Sequence, residues 1–266
     1  LAEADPVQGA HPVVLLSHGL GGHAGTLSWL ADGLVQRGAV VIGVDHPNST
    51  YHDFDMMRGL DHWTRVEDLT HALDVLAADL TFGAAMDTGH VFAAGFSYGG
   101  WTALSLGGLT GSAESYAAYC DVAGDASTHC ADLTRAGVDL RAADGDRWAA
   151  SYRDPRIRAV AAIDPGLLYG VTQNMADGLT ADTLLVALGD GADRLSATDF
   201  SETGSGFAAL VPEATVVTVA PANHFSALPR CKPMGADILA EEGDDPVCTD
   251  PEGADRAAIH AQVINA

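Results

Sequence analysis

Basic side chains are scarce in this sequence: 13 Lys and Arg stand against 36 Asp and Glu, a formal net charge of -23. A surface this acidic repels nucleic acid phosphates and anionic lipid headgroups, which excludes a nucleic-acid-binding role, and it stays hydrated even in salty surroundings. Long apolar runs are also missing, and none approaches the roughly 20 residues that a membrane-spanning helix needs. The chain opens at Leu1 with neither a basic n-region nor an apolar h-region, so a targeting segment is expected to have been removed or left out. No internal repeat or low-complexity tract stands out. Cysteine is limited to 4 residues, none in C-x-x-C spacing and none beside a histidine cluster, so a zinc site is not indicated. The four fall as two local pairs, Cys120 with Cys130 and Cys231 with Cys248, and read as disulfides. Disulfides imply an oxidising compartment, secreted or periplasmic.

What is present describes a folded α/β protein. Over 266 residues, 47% hydrophobic and 18% charged content with a mean hydropathy of +0.11 suffices for one large domain spanning 1–266. Apolar, β-branched segments alternate with amphipathic ones, the signature of a mainly parallel sheet with helices on both faces. Strands are predicted at 12–17 (PVVLLS), 39–44 (AVVIGV), 91–94, 157–163 (IRAVAAI), 183–188 (TLLVAL) and 215–219 (TVVTV). Helices are predicted at 27–37, 65–80, 100–106, roughly 197–210 and 254–264. In the second of these, Val66, Leu69, Leu73, Leu76 and Leu80 share one face. The rhythm breaks at 110–154, a polar stretch with the first cysteine pair, expected to form an insertion over the C-terminal ends of the strands with short helices around 113–119 and 147–152. An acidic C-terminal segment, 230–266, carries the second pair and is expected to be loop-like through 252.

The chemistry centres on Gly95-Phe96-Ser97-Tyr98-Gly99, a G-x-S-x-G segment between an apolar strand and a helix-like stretch. That pattern is the sequence form of a nucleophile elbow, a turn so sharp that its serine adopts a strained backbone. A serine hydroxyl is a weak nucleophile and needs a base in hydrogen-bond reach and an acid to orient that base. His129, His224 and His260 are the histidines beyond the elbow. His129 sits in the insertion just before Cys130 and His260 inside the terminal helix, whereas His224 directly follows the last strand and is the candidate base. Two strands end in candidate acids: Asp164 after Ile157–Ile163, with a helix N-cap as its structural alternative, and Asp193, with Asp190, after Thr183–Leu188. Backbone amides of Tyr98, after the nucleophile, and Leu20, in the turn Ser17-His18-Gly19-Leu20-Gly21-Gly22, are the candidate oxyanion donors. His18 precedes the serine and fits as a residue that shapes this turn. No cofactor or metal is called for: Asp45, His46, His52, Asp53 and Asp55 lack regular ligand spacing, and 241–245 (EEGDD) lacks that of an EF-hand.

The segments His18-Gly19-Leu20-Gly21, Val44-Asp45-His46, Gly95-Phe96-Ser97-Tyr98-Gly99-Gly100, Ile163-Asp164 and His224-Phe225 together resemble the platelet-activating-factor acetylhydrolase and predicted dienelactone hydrolase group of α/β-hydrolases, over most of 12–226. In the acetylhydrolase branch the acid follows the strand after the nucleophile helix, a position that Asp164 matches, and Leu20 and Tyr98 match the positions whose amides form the oxyanion hole. The resemblance implies a serine carboxylester hydrolase acting through an acyl-enzyme on a small ester, with short acyl chains expected because 110–154 contains no long apolar helix. A polyester or cutinase-type hydrolase and a catalytically silent hydrolase-fold binding module are the alternatives. The insertion and the acidic tail have no counterpart in the acetylhydrolase, and the cysteine nucleophile of true dienelactone hydrolases is replaced by Ser97. Two strands that usually open the fold are missing before Pro12, which points to a processed or truncated chain.

Overall fold

A computed structural model describes residues 6–180 and 182–266; residues 1–5, which include the Leu1 start of the expected domain, lie outside the described residues. In chain order the first half comprises β1 (His11–Ser17), α1 (Ser28–Val35), β2 (Val40–Gly43), the single turn α2 (Met56–Gly59), α3 (His62–Ala78), β3 (Met86–Phe96) and α4 (Tyr98–Gly107). Three helices follow in the insertion: α5 (Ala113–Ala123), α6 (Thr128–Arg135) and α7 (Gly145–Ala149). The second half holds β4 (Ile157–Ile163), α8 (Gln173–Ala176), β5 (Thr183–Leu188), α9 (Phe207–Leu210), β6 (Thr215–Val219), α10 (Gly235–Glu242) and α11 (Arg256–Asn265).

All six predicted strands form one parallel sheet, ordered β2-β1-β3-β4-β5-β6. Their near-continuous apolar runs follow from burial on both faces, with successive side chains turned to opposite sides. Val13 and Leu15 join Leu69 of α3, Leu104 of α4 and the insertion's Tyr116, Leu133 and Trp148 in one core. Val14 and Leu16 join Leu30 of α1 and Ile259 and Val263 of α11 in the other. Each such side chain contributes about 1.5–3 kcal/mol of burial. From β1 the chain crosses by α1 to β2 on one side, and from β3 it crosses by α4, on the opposite face, to β4 on the other side. The C-terminal ends of β1 and β3 are therefore the point where the connections diverge, and a crevice opens there.

Several expected elements differ. The helix predicted at 65–80 starts earlier and ends at Ala78, leaving Leu80 99% exposed rather than on the apolar face. The helix predicted over 197–210 does not form; a short 3-10 turn at Ser196–Thr198 and the one-turn α9 replace it. Asp199 holds this chain in a turn by accepting from the Ser201 amide at 2.9 Å, and Gly206 takes a φ of +73° that a continuing helix cannot use. The loop expected through 230–252 contains α10, closed by Gly243 in the left-handed region. In the insertion the helix expected at 113–119 runs to Ala123, α6 was not anticipated, and α7 lies at Gly145–Ala149 rather than 147–152.

The cysteines pair as expected at disulfide distance: Cys120 of α5 with Cys130 of α6, and Cys231 with Cys248 across α10, at Cα separations of 5.2 and 5.7 Å. Buried His62 anchors the insertion to the sheet-facing helices, donating to the Trp148 carbonyl at 3.2 Å and meeting the rings of Trp101, Trp148 and Tyr152 edge-on. Among the described residues no helix is long and apolar enough to cross a membrane, and no group of three His, Cys, Asp or Glu side chains is arranged to hold a metal ion.

Candidate active site

Ser97 occupies the sharp turn between β3 and α4, with φ +56° and ψ -121°, a region that L-residues adopt only when their surroundings impose it. Neighbouring backbone imposes it here. A Cβ on Gly95 would lie 2.1 Å from the Gly99 carbonyl oxygen, and one on Gly99 would lie 2.0 Å from that of Ser17, so only glycine permits the crossing. The turn is tied to the end of β4, with the Ser97 amide donating to the Ile163 carbonyl at 2.9 Å and the Gly166 amide to the Ser97 carbonyl at 3.2 Å.

His224 follows β6 in a short 3-10 turn capped by Asn223, and its ring reaches two partners. Nδ1 donates to Asp164 Oδ2 at 2.6 Å, which leaves Nε2 as the acceptor for the Ser97 hydroxyl at 3.1 Å. Asp164 is fully buried, and the cost of burying its charge is met by three donors: His224, the Thr198 hydroxyl at 2.7 Å and the Leu188 amide at 2.9 Å. Asp193 is exposed on a turn after β5, and its carboxylate makes no hydrogen bond to His224 among the described residues. The amides of Leu20 and Tyr98 donate to no protein group among the described residues, and both residues line one cavity with Ser97 and His224. The turn bearing Leu20 abuts the serine closely: a Cβ on Gly19 would sit 3.3 Å from that of Ser97.

A second polar cluster, not anticipated as a unit, lies beneath this turn. Arg65 of α3 is fully buried; its guanidinium donates to the hydroxyls of Thr102 (3.0 Å), Ser49 (2.5 Å) and Ser17 (3.1 Å) and to the His18 carbonyl, and it packs 4.4 Å over the Tyr98 ring. Ser17 in turn donates to His46 Nε2 at 3.0 Å, and His46 Nδ1 donates to Asp68 at 3.0 Å. The His46 amide donates to His18 Nε2 at 3.1 Å, so His18 Nδ1 donates to the Gly19 carbonyl at 2.7 Å. Burial first, and then Arg65, pushes His18 down to about 4 and holds His46 well below the usual histidine value, so both rings are neutral. Burial also lowers Arg65 to about 10, and it stays charged. One signal for this cluster was available in the sequence: Arg65 sits one turn before Leu69 on the apolar stripe of α3, where a charge demands partners. The remaining loop carboxylates are used by local backbone, Asp45 accepting from Ala24, Asp53 from Asn48, and Asp55 capping α2.

Thr198, which donates to Asp164, lies within the helix expected over roughly 197–210 and so has no sequence signal as a site residue. The C-terminal tail buttresses the His224 turn: Asp250 accepts from the Ser226 hydroxyl at 2.7 Å and from Arg256 at 2.9 Å, while His260 donates to the Ser226 carbonyl at 3.0 Å.

No family model matches the chain, and no curated protein matches it. Among solved structures it is similar to a ferulic acid esterase from Streptomyces cinnamoneus, with a TM-score of 0.57 and 19% identity over 99% of this chain and 67% of that one. It is also similar to a dienelactone hydrolase from Anabaena variabilis, with a TM-score of 0.52 and 19% identity over 90% of this chain and 86% of that one. The six-stranded parallel sheet, its crossover order and these two likenesses identify the architecture: the chain has the α/β-hydrolase fold.

Proposed function

We propose that this protein is a serine carboxylester hydrolase that works through an acyl-enzyme. The observation that carries this reading is His224, which bridges the Ser97 hydroxyl and the buried Asp164 carboxylate beside two amides without a protein partner among the described residues. Ser97 Oγ attacks the ester carbonyl while its proton passes to His224 Nε2, and Asp164 orients the ring and stabilises the imidazolium. The Leu20 and Tyr98 amides receive the oxyanion, each such donor being worth about 3–4 kcal/mol in other hydrolases. The intermediate collapses, the alcohol leaves with the proton from His224, and water repeats the sequence to release the acid.

A small ester is the substrate. The cavity at Ser97 encloses about 450 Å³ and is overhung by insertion residues, which suits a short-chain ester in the manner of the acetylhydrolase group better than a solid polyester face. The likeness in fold to a ferulic acid esterase supports ester chemistry; Ser97 in place of cysteine separates this site from dienelactone ring opening by a thiol. The two cysteine pairs support a secreted or periplasmic location. Hydrolysis of p-nitrophenyl acetate and butyrate, together with fluorophosphonate labelling mapped to a peptide, tests the reading: turnover and a label on Ser97 are expected, and the absence of both ends it.

A further inference from the structure

The insertion contributes Tyr116 and His129 to the wall of the Ser97 cavity, and neither has a part in the chemistry just described. Tyr116 is buried, and its hydroxyl has one hydrogen-bond partner among the described residues, His129 Nδ1 at 2.8 Å. That single contact decides the tautomer. If Nδ1 carried the proton and donated to the phenol oxygen, the phenol O–H would be a buried donor with no acceptor. The phenol therefore donates, Nδ1 accepts, and the proton of the neutral ring resides on Nε2. Burial pushes His129 down to about 4 and raises the Tyr116 phenol, so the ring is neutral and the phenol protonated through the neutral range.

His129 Nε2 has no protein partner among the described residues, and it is not among the buried polar atoms sealed from solvent. Nearby Asp132 and Arg135 satisfy each other. The pair is held firmly: α5 carries Tyr116, α6 carries His129, the Cys120–Cys130 bridge joins the two helices, and the Tyr116 ring packs against those of His129 and Tyr119 at centroid distances of 5.5 Å. The same cavity is lined by the apolar side chains of Leu20, Leu60, Leu167, Leu195 and Phe225.

We infer that His129 Nε2–H is a recognition donor for a second oxygen of the substrate. The substrate class is an ester whose acid or alcohol part bears a carbonyl, ether or hydroxyl oxygen beyond an apolar spacer that lies along the leucine-lined wall. An ammonium or amide N–H at that place meets another donor and is disfavoured. The inference rests on the serine-hydrolase reading and gives His129 a role in specificity only.

The test compares kcat/KM for matched esters with and without the second oxygen. On the acid side the pair is p-nitrophenyl 4-oxopentanoate and p-nitrophenyl pentanoate; on the alcohol side it is 3-methoxypropyl butyrate and pentyl butyrate. After correction for intrinsic alkaline hydrolysis rates, the wild type is expected to favour the oxygen-bearing ester of one pair by roughly 3- to 10-fold, the size of one net hydrogen bond. His129→Phe reduces that ratio to about 1 through KM, with the plain ester's kcat within about threefold of wild type. His129→Gln, which keeps an N–H, retains part of the preference, and Tyr116→Phe, which releases the tautomer, loses part of it. An unchanged ratio in His129→Phe, or no preference in either pair while Ser97 turns over the plain esters, overturns the inference and leaves the hydrolase reading standing. Failure to turn over any ester overturns both.

Discussion

Two serine–histidine–aspartate chains end on the neighbouring strands β1 and β3, and their geometry is nearly the same. In Ser97-His224-Asp164 the two contacts measure 3.1 and 2.6 Å, and in Ser17-His46-Asp68 they measure 3.0 and 3.0 Å. The surroundings of the two serines differ. Ser17 lies within a strand, is fully buried, and its oxygen already accepts from Arg65. Ser97 stands on a strained turn, is half-buried, and lines the cavity beside two amides that have no protein partner among the described residues. Hydrogen-bond geometry is therefore insufficient to mark a nucleophile. Access to the cavity and amides without a partner among the described residues separate the two chains; under the proposed reading these are what would let Ser97 attack a carbonyl, while the Ser17 chain serves as scaffold for the turn that carries Leu20.

The sharpest way to break the comparison is to truncate both serines. Ser97→Ala is expected to lower kcat by about 10⁴- to 10⁶-fold, as removal of the nucleophile does in other serine hydrolases. Ser17→Ala is expected to cost stability instead, about 1–3 kcal/mol in a urea titration, with kcat within about tenfold. Equal losses of activity would place the two serines on the same footing. Next in size, Asp164→Asn is expected to lower kcat by about 10⁴-fold with little change in KM, whereas Asp193→Asn leaves both in place; steady-state kinetics on p-nitrophenyl butyrate decides between the two acids.

Arg65→Met probes the scaffold directly. It strips donors from three hydroxyls and the His18 carbonyl at once, and about 3–5 kcal/mol of stability is expected to be lost, measured by denaturant midpoint. The smallest expected effect is a pH dependence. Because His18 titrates near 4 when folded and near 6.5 when unfolded, the unfolded chain takes up the proton first. Stability is complete above about pH 6.5 and is withdrawn as pH falls toward 4, by up to about 3 kcal/mol from this ring. The decline between pH 7.5 and 4.5 should be shallower in His18→Gln, and an identical slope would show that His18 is not the group responsible.

The legibility of these two chains in the sequence was unequal, for a physical reason. Ser97 announces itself because its turn requires glycines at fixed positions, and the sharp strand-to-helix junction leaves a local pattern. His224 was readable because it follows the last strand at the sheet edge that the elbow occupies. Asp164 and Asp193 both follow a strand; the resemblance and the cost of burying a carboxylate after an apolar run favour Asp164, and the Thr198 hydroxyl and Leu188 amide packed around it are visible only in the structure. The sealed chain draws its members from β1, the loop after β2, and α3, residues far apart in sequence that share no spacing rule. The helix expected over 197–210 gives way to turns set by Asp199 and Gly206, and α6 and α10, each eight residues long, lie in polar stretches where so short a period is hard to read.

By itself the sequence determined the alternation of strand and helix, the parallel sheet, the strained serine, the pairing of the cysteines and the candidate histidine, since each follows from local sterics, two-sided burial or short-range closure. Only the tertiary structure decided which donors hold Asp164, why one serine is open and its near twin sealed, and what the insertion presents to the cavity. Those outcomes depend on where water is excluded and which buried donors remain unpaired, and such properties exist only once distant segments have packed together.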